Sequence, residues 1–337
     1  MAELRRDPIV GRWVIINTED SMTPDDFEKE DQTPRHQATC QFCSGRENQT
    51  PPEIEASRAP GTAPNTPGWS VRVVPNKFPA LRIEGNIDRR GMGVFTLANG
   101  IGAHEVVIET PDHNKALADL SKEEFLEVIR KFCSRSWSLA QDKRFKYIII
   151  FKNFGGSAGT SVEHGHSQII ALPMVPKHVL EELEGARRYH ELRERCIFCD
   201  VIQQEYQDKE RIVVENKNFV VFCPYVPRYA FECWVLPKRH IPHFFEMSEE
   251  EQHDLSLILK EALWRIKSCL FNPSYNFFIH TAPVNQEYTG SYHWHIEIVP
   301  KLTREAGFEW GTGFYVVPTA PQIAAKFLKE VKFNFQI

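Results

Sequence analysis

The sequence has no long hydrophobic run. No apolar stretch in its 337 residues reaches the roughly 18 residues that a membrane-spanning helix requires. The first residues, Met1–Arg6, are not followed by the apolar segment of a secretory signal peptide. We therefore expect a protein without a membrane partner.

The sequence also has no excess of positive charge. Its formal net charge is −5 at pH 7, whereas broad nucleic-acid binding needs a basic face that neutralises phosphates. We therefore expect no nucleic-acid partner. The chain is 42% hydrophobic and 25% charged, as is ordinary for globular proteins. Its length fits two domains of roughly 150 residues, each large enough to bury a core.

A disulfide framework is missing as well. Four of the eight cysteines stand singly in apolar surroundings, and the other four form two Cys-x-x-Cys pairs. The single ones are Cys133, Cys223, Cys233 and Cys269. This usage favours a reducing compartment, and we expect a cytoplasmic protein.

Two segments stand out by composition. Residues 20–70 hold seven prolines, so we expect an irregular or mobile loop around the first Cys-x-x-Cys pair. Residues 181–195 are rich in charges, and we expect them to form a helical connector between the two halves of the chain.

One arrangement of reactive groups occurs twice. Each half has a Cys-x-x-Cys pair and, much later, a His-x-His pair. Between them come a strand, a histidine, a helix that opens with a capping box, and a second strand. In the first half these are 104–111, His113, Ser121 with Glu124, and 146–152; in the second they are 231–238, His240, Ser248 with Glu251, and 275–279. The shared order and spacing predict a duplicated unit.

The cysteines and histidines predict metal sites. Two thiolates separated by two residues can hold one tetrahedral zinc ion, which needs two more nitrogen or sulfur ligands. Matched histidines in the two halves supply them, so we predict two structural zinc ions per chain. The first site is Cys40, Cys43, His113 and His164, and the second is Cys196, Cys199, His240 and His293.

Two other interpretations of these residues stay open. In one, the Cys-x-x-Cys pairs are free thiols or a redox couple, as in thioredoxin-like folds. The matched histidines disfavour it. In the other, a metal is held by His280, His293 and His295 with an acidic residue, and Cys196 and Cys199 take no part.

The second histidine of the first His-x-His pair is the candidate nucleophile. On a strand, residues two apart point to the same side, so His166 reaches the same cavity as His164. The preceding segment 153–161 is rich in small residues, which bring backbone N–H groups close to a phosphate. Gln168 can donate an amide N–H to a phosphoryl oxygen. Imidazole attacks phosphorus well near neutral pH. His295 has bulky neighbours and no glycine loop, so we expect it to be structural or to line a degenerate second site.

At these residues the chain resembles the histidine-triad superfamily, in particular the galactose-1-phosphate uridylyltransferase family. The resemblance covers nearly the whole chain and rests on Arg6–Val14, Asn76–Ala80, Thr110–His113 and His164–Gln168. It implies an α+β fold of two fused histidine-triad-like repeats, each a mostly antiparallel sheet with flanking helices. The expected domains are 1–180, with the nucleophilic histidine, and 181–337. A homodimer with its active site near the subunit interface is also implied.

The resemblance implies the chemistry and the residues that carry it. His166 takes a nucleoside monophosphate from a nucleotide sugar, releases the sugar 1-phosphate, and passes the nucleotidyl group to a sugar phosphate or to orthophosphate. The expected catalytic residues are His166 and Gln168. The expected substrate-binding residues are Asn76, Phe78, Asn153, Gly159, Thr160, Ser161, Gln168, Arg304, Phe308 and Glu309. Carbohydrate metabolism, that of galactose in particular, is the implied setting.

Four departures separate the chain from the uridylyltransferase pattern. The usual His-Pro-His is His-Gly-His here, and Asn17–Pro24 lacks the expected arginine-rich segment. Phe308–Gly313 replaces a glutamine that contacts the hexose, and Cys196 and Cys199 replace an acidic metal ligand. These features resemble the ADP-glucose phosphorylase branch, whose members transfer an adenylyl group to orthophosphate.

We predict a nucleotidyltransferase, and three alternatives remain. The first is a uridylyltransferase proper, which uses UDP-glucose and a hexose 1-phosphate. The second is a nucleotide hydrolase of the same superfamily, in which water discharges the intermediate. The third is a zinc-stabilised binding module without turnover, which the glycine-rich loop before His166 disfavours.

Overall fold

The computed structural model describes residues 2–31, 37–285 and 290–333. The strands in this part of the chain are β1 (Ala2–Arg6), β2 (Trp13–Asn17), β3 (Glu55–Arg58), β4 (Trp69–Pro75), β5 (Arg90–Met92), β6 (Phe95–Leu97), β7 (Ala103–Ile108), β8 (Tyr147–Phe154), β9 (His166–Leu172), β10 (Ile212–Glu215), β11 (Phe219–Phe222), β12 (Cys233–Pro237), β13 (Tyr275–His280), β14 (His295–Pro300) and β15 (Tyr315–Val317). The α-helices are α1 (Lys122–Ala140), α2 (Lys177–Arg193), α3 (Ile197–Asp208), α4 (Glu249–Cys269), α5 (Gly307–Thr312) and α6 (Pro321–Glu330).

Ten strands form one antiparallel sheet in the order β10-β11-β12-β14-β13-β8-β9-β7-β4-β3. Counted inwards from its two edges, the sheet has the order β3-β4-β7-β9-β8 on one side and β10-β11-β12-β14-β13 on the other. The two repeats are joined where β13 pairs with β8, with Ile279 opposite Ile150. The predicted α+β fold of two histidine-triad-like repeats is confirmed, and the two half-sheets form one continuous sheet.

The two long helices begin where the capping boxes predict. Ser121 Oγ accepts the Glu124 N–H at 3.1 Å, and the Glu124 carboxylate accepts the Ser121 N–H at 2.7 Å. Ser248 and Glu251 repeat this exchange at 3.2 and 2.8 Å. Because the cap satisfies N–H groups that have no partner within the helix, it defines the first turn. Helices α1 and α4 therefore begin at Lys122 and Glu249, directly after Ser121 and Ser248.

The main core lies between α1, α4 and one face of the large sheet. Val107 and Ile169 of the first repeat and Val235 and Ile298 of the second all belong to it. Side chains alternate between the two faces of a strand. In β9, Ser167 therefore lies on the same face as the core residue Ile169. His166 and Gln168 point to the opposite face. This alternation positions the candidate active site.

The irregular segment predicted around the first Cys-x-x-Cys pair is largely confirmed. The described part of residues 20–70, which leaves out 32–36 and with them Pro34, contains single-turn 3-10 helices and only the short strand β3 before β4 begins. Buried ion pairs connect this segment to the sheet. Glu53 meets Arg58 at 2.7 Å and Arg72 of β4 at 3.0 Å.

The predicted helical connector is α2, which ends at Arg193. The division of the chain into 1–180 and 181–337 remains a prediction, and its boundary falls within α2. Strands β1, β2 and β15 form a separate small sheet in which β15 runs parallel to β2. This brings the C-terminal region onto the first strands of the chain.

Among the described residues, none of the helices combines the length and the apolar character that crossing a membrane would require.

Candidate active site and metal centres

The first predicted metal group is assembled from three separate parts of the first repeat. Cys43 Sγ lies 3.5 Å from His113 Nδ1 and 3.6 Å from His164 Nδ1, and Cys40 Sγ lies 3.6 Å from His164 Nδ1. His164 Nε2 donates to the Thr110 carbonyl oxygen at 2.7 Å, which directs its other nitrogen toward the thiols. The group is buried apart from Cys43, which is partly exposed.

The second predicted metal group repeats this geometry. Cys199 Sγ lies 3.6 Å from His240 Nδ1 and 3.5 Å from His293 Nδ1. Here His293 Nε2 donates to the Pro237 carbonyl oxygen at 2.9 Å. Cys196 completes the group, and its four ligand atoms lie within 4.8 Å of one another.

Both groups have the dimensions of a tetrahedral metal site. For bond lengths of about 2.0–2.3 Å to nitrogen and sulfur, neighbouring ligands of one tetrahedral ion lie about 3.6 Å apart. The sulfur–nitrogen distances of 3.5–3.6 Å match this value. Both Cys2His2 groups can therefore bind a metal ion. Each Cys-x-x-Cys pair faces its two histidines, as the prediction of metal sites requires.

A third group lies behind the second one. Glu182, His280, His295 and Glu297 place their ligand atoms within 4.8 Å of one another. His280 Nδ1 lies 2.9 Å from Glu182 Oε2, and this attraction outweighs burial and lowers the pKa of Glu182. The alternative metal set of His280, His293 and His295 is therefore wrong, since His293 faces the thiols of Cys196 and Cys199.

His295 is enclosed by aromatic rings. Its side chain is 1% exposed, and its ring stacks on Trp234 with centroids 5.2 Å apart and planes 28° apart. The Phe198 ring lies 5.0 Å away on another side. The prediction that His295 is structural agrees with this enclosure, because no substrate reaches a ring that is sealed in this way.

His166 lies at the start of β9, and one of its ring nitrogens keeps an available lone pair. Its Nδ1 donates to the His164 carbonyl oxygen at 2.8 Å, so the proton is held there and the lone pair lies on Nε2. Phe42, from the first Cys-x-x-Cys pair, contacts the ring edge-on at 5.4 Å. Burial, together with the nearby Lys152 charge, lowers the pKa of His166 to about 4. The ring is therefore a neutral imidazole near pH 7.

Gln168 is oriented by His104, which the sequence analysis did not single out. The Ala80 N–H donates to His104 Nδ1 at 3.1 Å, so the proton of this ring lies on Nε2. His104 Nε2 donates to Gln168 Oε1 at 2.7 Å, which turns the amide N–H2 of Gln168 outwards as a donor. The Asn76 side-chain nitrogen lies 3.1 Å from the same ring nitrogen. His104 thus connects two of the expected substrate-binding residues.

A buried ion pair lies beneath His166 and was also missed. Lys152 Nζ donates to the two Glu109 oxygens at 2.9 and 2.7 Å and to the His166 carbonyl oxygen at 2.9 Å. Ser167 Oγ donates to Glu109 Oε1 at 2.5 Å. Lys152 uses all three of its donors in this way. One charged network therefore holds His166, the candidate nucleophile, and the next residue, Ser167.

The small-residue loop before His166 borders a cavity of about 790 Å³. Gly155 and Gly159 adopt φ values of +83° and +81°, which side-chain-bearing residues rarely adopt. Thr160 and Ser161 line the cavity together with His113 of the first metal group. Asn153 Oδ1 accepts an N–H from Asn276 at 2.8 Å, so the second repeat holds this residue of the first.

The remaining expected residues lie at the surface. Phe78 is 82% exposed, and its backbone N–H donates to Asn76 Oδ1 at 2.9 Å. Phe308 and Glu309 lie on α5, and Arg304 lies just before it. Within the described ranges, no hydrogen bond, ion pair or ring contact joins Arg304, Phe308 or Glu309 to His166. The structure does not bring these three residues to His166 of the same chain.

Known proteins share this architecture. Models of the N- and C-terminal domains of galactose-1-phosphate uridyl transferase match residues 2–176 and 182–321. An ADP-glucose phosphorylase of Arabidopsis thaliana is 37% identical over 98% of this chain and 93% of its own length. A galactose-1-phosphate uridylyltransferase of Thermotoga maritima is 28% identical over 98% of this chain and 99% of its own length.

Solved structures agree. An Arabidopsis thaliana ADP-glucose phosphorylase with bound ADP-glucose superposes with a TM-score of 0.81 at 35% identity, covering 99% of this chain and all of that one. A uridylyltransferase superposes with a TM-score of 0.76 at 27% identity, covering 98% of this chain and 97% of that one.

The duplicated antiparallel sheet and the relatives together define a nucleotidyltransferase of histidine-triad architecture. The chain belongs to the galactose-1-phosphate uridyl transferase family.

Proposed function

We propose that the protein transfers an adenylyl group from ADP-glucose to orthophosphate. The observation that carries this proposal is the 37% identity to an ADP-glucose phosphorylase over nearly the whole of both chains, against 28% for the uridylyltransferase of equal coverage. The Phe308–Gly313 segment and the absence of an arginine-rich segment at Asn17–Pro24 support the same choice. A hexose acceptor would need polar partners that orthophosphate does not.

The reaction follows from the geometry of His166. Its Nε2 attacks the α-phosphorus of ADP-glucose, and the bond from that phosphorus to the oxygen of glucose 1-phosphate breaks. An orthophosphate oxygen then attacks the same phosphorus, the phosphorus–nitrogen bond breaks, and ADP leaves. Because the His166 ring is neutral, no proton has to be removed before the first attack. The Gln168 amide and the N–H groups of the glycine loop donate to phosphoryl oxygens.

We propose that each of the two Cys2His2 groups binds one zinc ion, giving two per chain. Four protein ligands leave no open position, so zinc supplies structure here rather than a bound water. Cys40, Cys43, His113 and His164 hold the first ion, and Cys196, Cys199, His240 and His293 hold the second. Thiolate ligands need reduced cysteines, and we accordingly propose a cytoplasmic location.

We further propose that the protein acts as a homodimer. In the hairpin of β5 and β6, the side chains of Met92, Val94 and Phe95 are 65%, 93% and 67% exposed, and Phe78 lies exposed beside Asn76. Such apolar side chains are typical of a protein–protein interface. In a dimer, Arg304, Phe308 and Glu309 of one copy would contact the substrate bound at His166 of the other.

The test is a comparison of substrate pairs. We expect kcat/KM for ADP-glucose with orthophosphate to exceed that for UDP-glucose with galactose 1-phosphate. A ratio well below one would return the protein to uridylyl transfer, and steady release of AMP without any acceptor would make it a hydrolase. Binding of ADP-glucose without turnover would leave only a binding module.

A further inference from the structure

A second cavity, of about 320 Å³, lies in the C-terminal repeat. Its walls are helix α3, the turn after β11, Trp234 of β12 and the Asp7–Ile9 segment. The volume is at the lower end of small-molecule sites, which run from about 300 to 1,000 Å³. None of the described residues that line it belongs to the site around His166.

The strand registers identify the counterpart of this cavity in the first repeat. Gln168 and Glu297 each lie two residues after the second histidine of their His-x-His pair. Val106 lies opposite Gln168, and Trp234 lies opposite Glu297. Trp234 therefore occupies the position of Val106.

The turns that follow the next strands correspond as well. Val74 pairs with Val106, and Phe222 pairs with Trp234, so the turn Asn76–Phe78 corresponds to Pro224–Val226. The cavity is thus bounded by the second-repeat equivalent of the turn that holds Asn76. It lies where the first repeat has the face expected to bind the nucleotide.

The second-repeat cavity differs from that face in having no access to a histidine. The Trp234 ring covers His295, which is 1% exposed. Acidic side chains, Glu205 and Asp208, lie on the α3 wall. A phosphate would meet negative charge here and would find no nucleophile, so the cavity suits a ligand without phosphate.

The lining favours a flat ring that carries a hydrogen-bond donor. Val201, Ile9 and Pro224 contribute apolar surface beside Trp234. Glu205 is 2% exposed, and its Oε1 accepts a hydrogen bond from Arg211 Nε at 3.0 Å. Its Oε2 lies 2.9 Å from the same nitrogen and receives no hydrogen bond of its own from any residue that the structure describes. Burial outweighs Arg211 and raises the pKa of Glu205 to about 7. An amino group on the ring would give Oε2 of this carboxylate a hydrogen bond of its own.

We propose that this cavity binds a nucleoside whose base carries an exocyclic amine, such as adenosine, and that it does so without chemistry. The proposal rests on the proposed function in one respect, because it identifies the first-repeat counterpart as a nucleotide-binding face. Two copies of one recognition unit would then bind the same base, one for catalysis and one without it.

The test is equilibrium dialysis of labelled adenosine with the full-length, metal-loaded protein, in the presence of saturating ADP. ADP occupies the face at His166, so we expect one adenosine per chain to remain bound. Uridine, which has no exocyclic amine, and AMP, which has a phosphate, should each bind about tenfold more weakly or worse.

Two variants on α3 assign the remaining adenosine to the cavity. Val201→Trp fills it and should weaken adenosine binding by about tenfold or more. Gln203→Trp adds the same side chain on the exposed side of the helix and should change nothing. Equal binding to wild-type protein and Val201→Trp, or no adenosine bound beside ADP, would overturn the proposal.

Measuring the turnover of both variants separates this test from the test of the proposed function. Both variants should transfer the nucleotidyl group at the wild-type rate, since neither residue contacts the site at His166. Adenosine binding that depends on Val201 in a protein that does not turn over ADP-glucose would refute the proposed function while retaining the second site. Should Val201→Trp fail to fold, the discrimination between adenosine, uridine and AMP still decides.

Discussion

At the residue scale, His164 connects the metal group to the nucleophile. Its Nδ1 faces the two thiols, its Nε2 donates to the Thr110 carbonyl, and its own carbonyl oxygen accepts the proton on His166 Nδ1. Each bond fixes the next one. The tautomer of His166, and with it the lone pair on Nε2, therefore depends on a residue that belongs to the first metal site.

Replacing His104 should impair turnover without unfolding the protein. Without the bond from His104 Nε2, the Gln168 amide can rotate and its donor group is no longer fixed toward the phosphoryl oxygens. Loss of one such orienting bond corresponds to about 1–2 kcal/mol, or roughly a tenfold lower kcat for His104→Ala.

The control for this variant is His104→Gln, whose amide can still donate to Gln168 and should recover part of the loss. Steady-state kinetics of both variants, with thermal unfolding in parallel, provide the measurement. An unchanged kcat for His104→Ala would show that His104 does not position Gln168.

Replacing Lys152 should destabilise the protein strongly. Lys152 is 1% exposed, and its removal leaves the buried Glu109 carboxylate without its counter-charge. Breaking a buried pair on one side costs about 3–5 kcal/mol. We expect Lys152→Met to lower the free energy of unfolding by about this amount in urea titrations.

The double variant Lys152→Met with Glu109→Gln should recover much of that loss, because it removes both charges together. If Glu109→Gln lowered the free energy of unfolding as much in the Lys152→Met protein as in the wild type, the two side chains would not be coupled.

At the element scale, the two metal groups tie different elements together. The first fixes the irregular segment around Cys40 to β9, and the second fixes the start of α3 to β14. Cys40→Ser and Cys196→Ser should each leave about one zinc per chain by metal analysis, since each removes one thiolate ligand. Only Cys40→Ser should also abolish turnover, because only the first site carries His164.

The matched pair makes the assignment of the metals testable. Two zinc ions retained by either variant would contradict it. A wild-type protein with three metal ions per chain would add the group of Glu182, His280, His295 and Glu297 to the metal sites.

The elements that could be predicted from sequence are those with local signals. Each capping box defines its helix start within four residues, and each Cys-x-x-Cys pair has a fixed spacing. The Lys152–Glu109 pair and the group of Glu182 and His280 could not be predicted, because they join residues 43 and 98 positions apart with no motif between them. The pairing of β8 with β13 could not be predicted either, because two apolar strands carry no signal that says which strand each of them joins.

At the scale of the whole molecule, the exposed apolar hairpin predicts self-association. We expect light scattering after gel filtration to give a dimer, twice the chain mass of 39.0 kDa. Val94→Asp should weaken it, because it places a charge on the most exposed of these apolar side chains. If Arg304 and Glu309 of the second copy complete the active site, Val94→Asp should lower turnover in proportion to the fraction of protein that becomes monomeric.

A control for the dimer prediction is Leu192→Asp, which places the same charge on another exposed apolar residue, one that lies on α2 and not on the hairpin. It should leave both the mass and the turnover unchanged. A wild-type protein that is monomeric and fully active would refute the dimer.

Trapping the adduct shows directly whether His166 carries the nucleotidyl group. Wild-type protein is incubated with ADP-glucose labelled at the α-phosphate and no acceptor, then denatured, digested and analysed by mass spectrometry. We predict an adenylyl group on the peptide that contains His166, discharged as ADP when orthophosphate is added before denaturation. His166→Ala should show no label and lose about 10³-fold or more in turnover, whereas His295→Ala should keep the label. A label on any other residue, or full turnover by His166→Ala, would contradict the account.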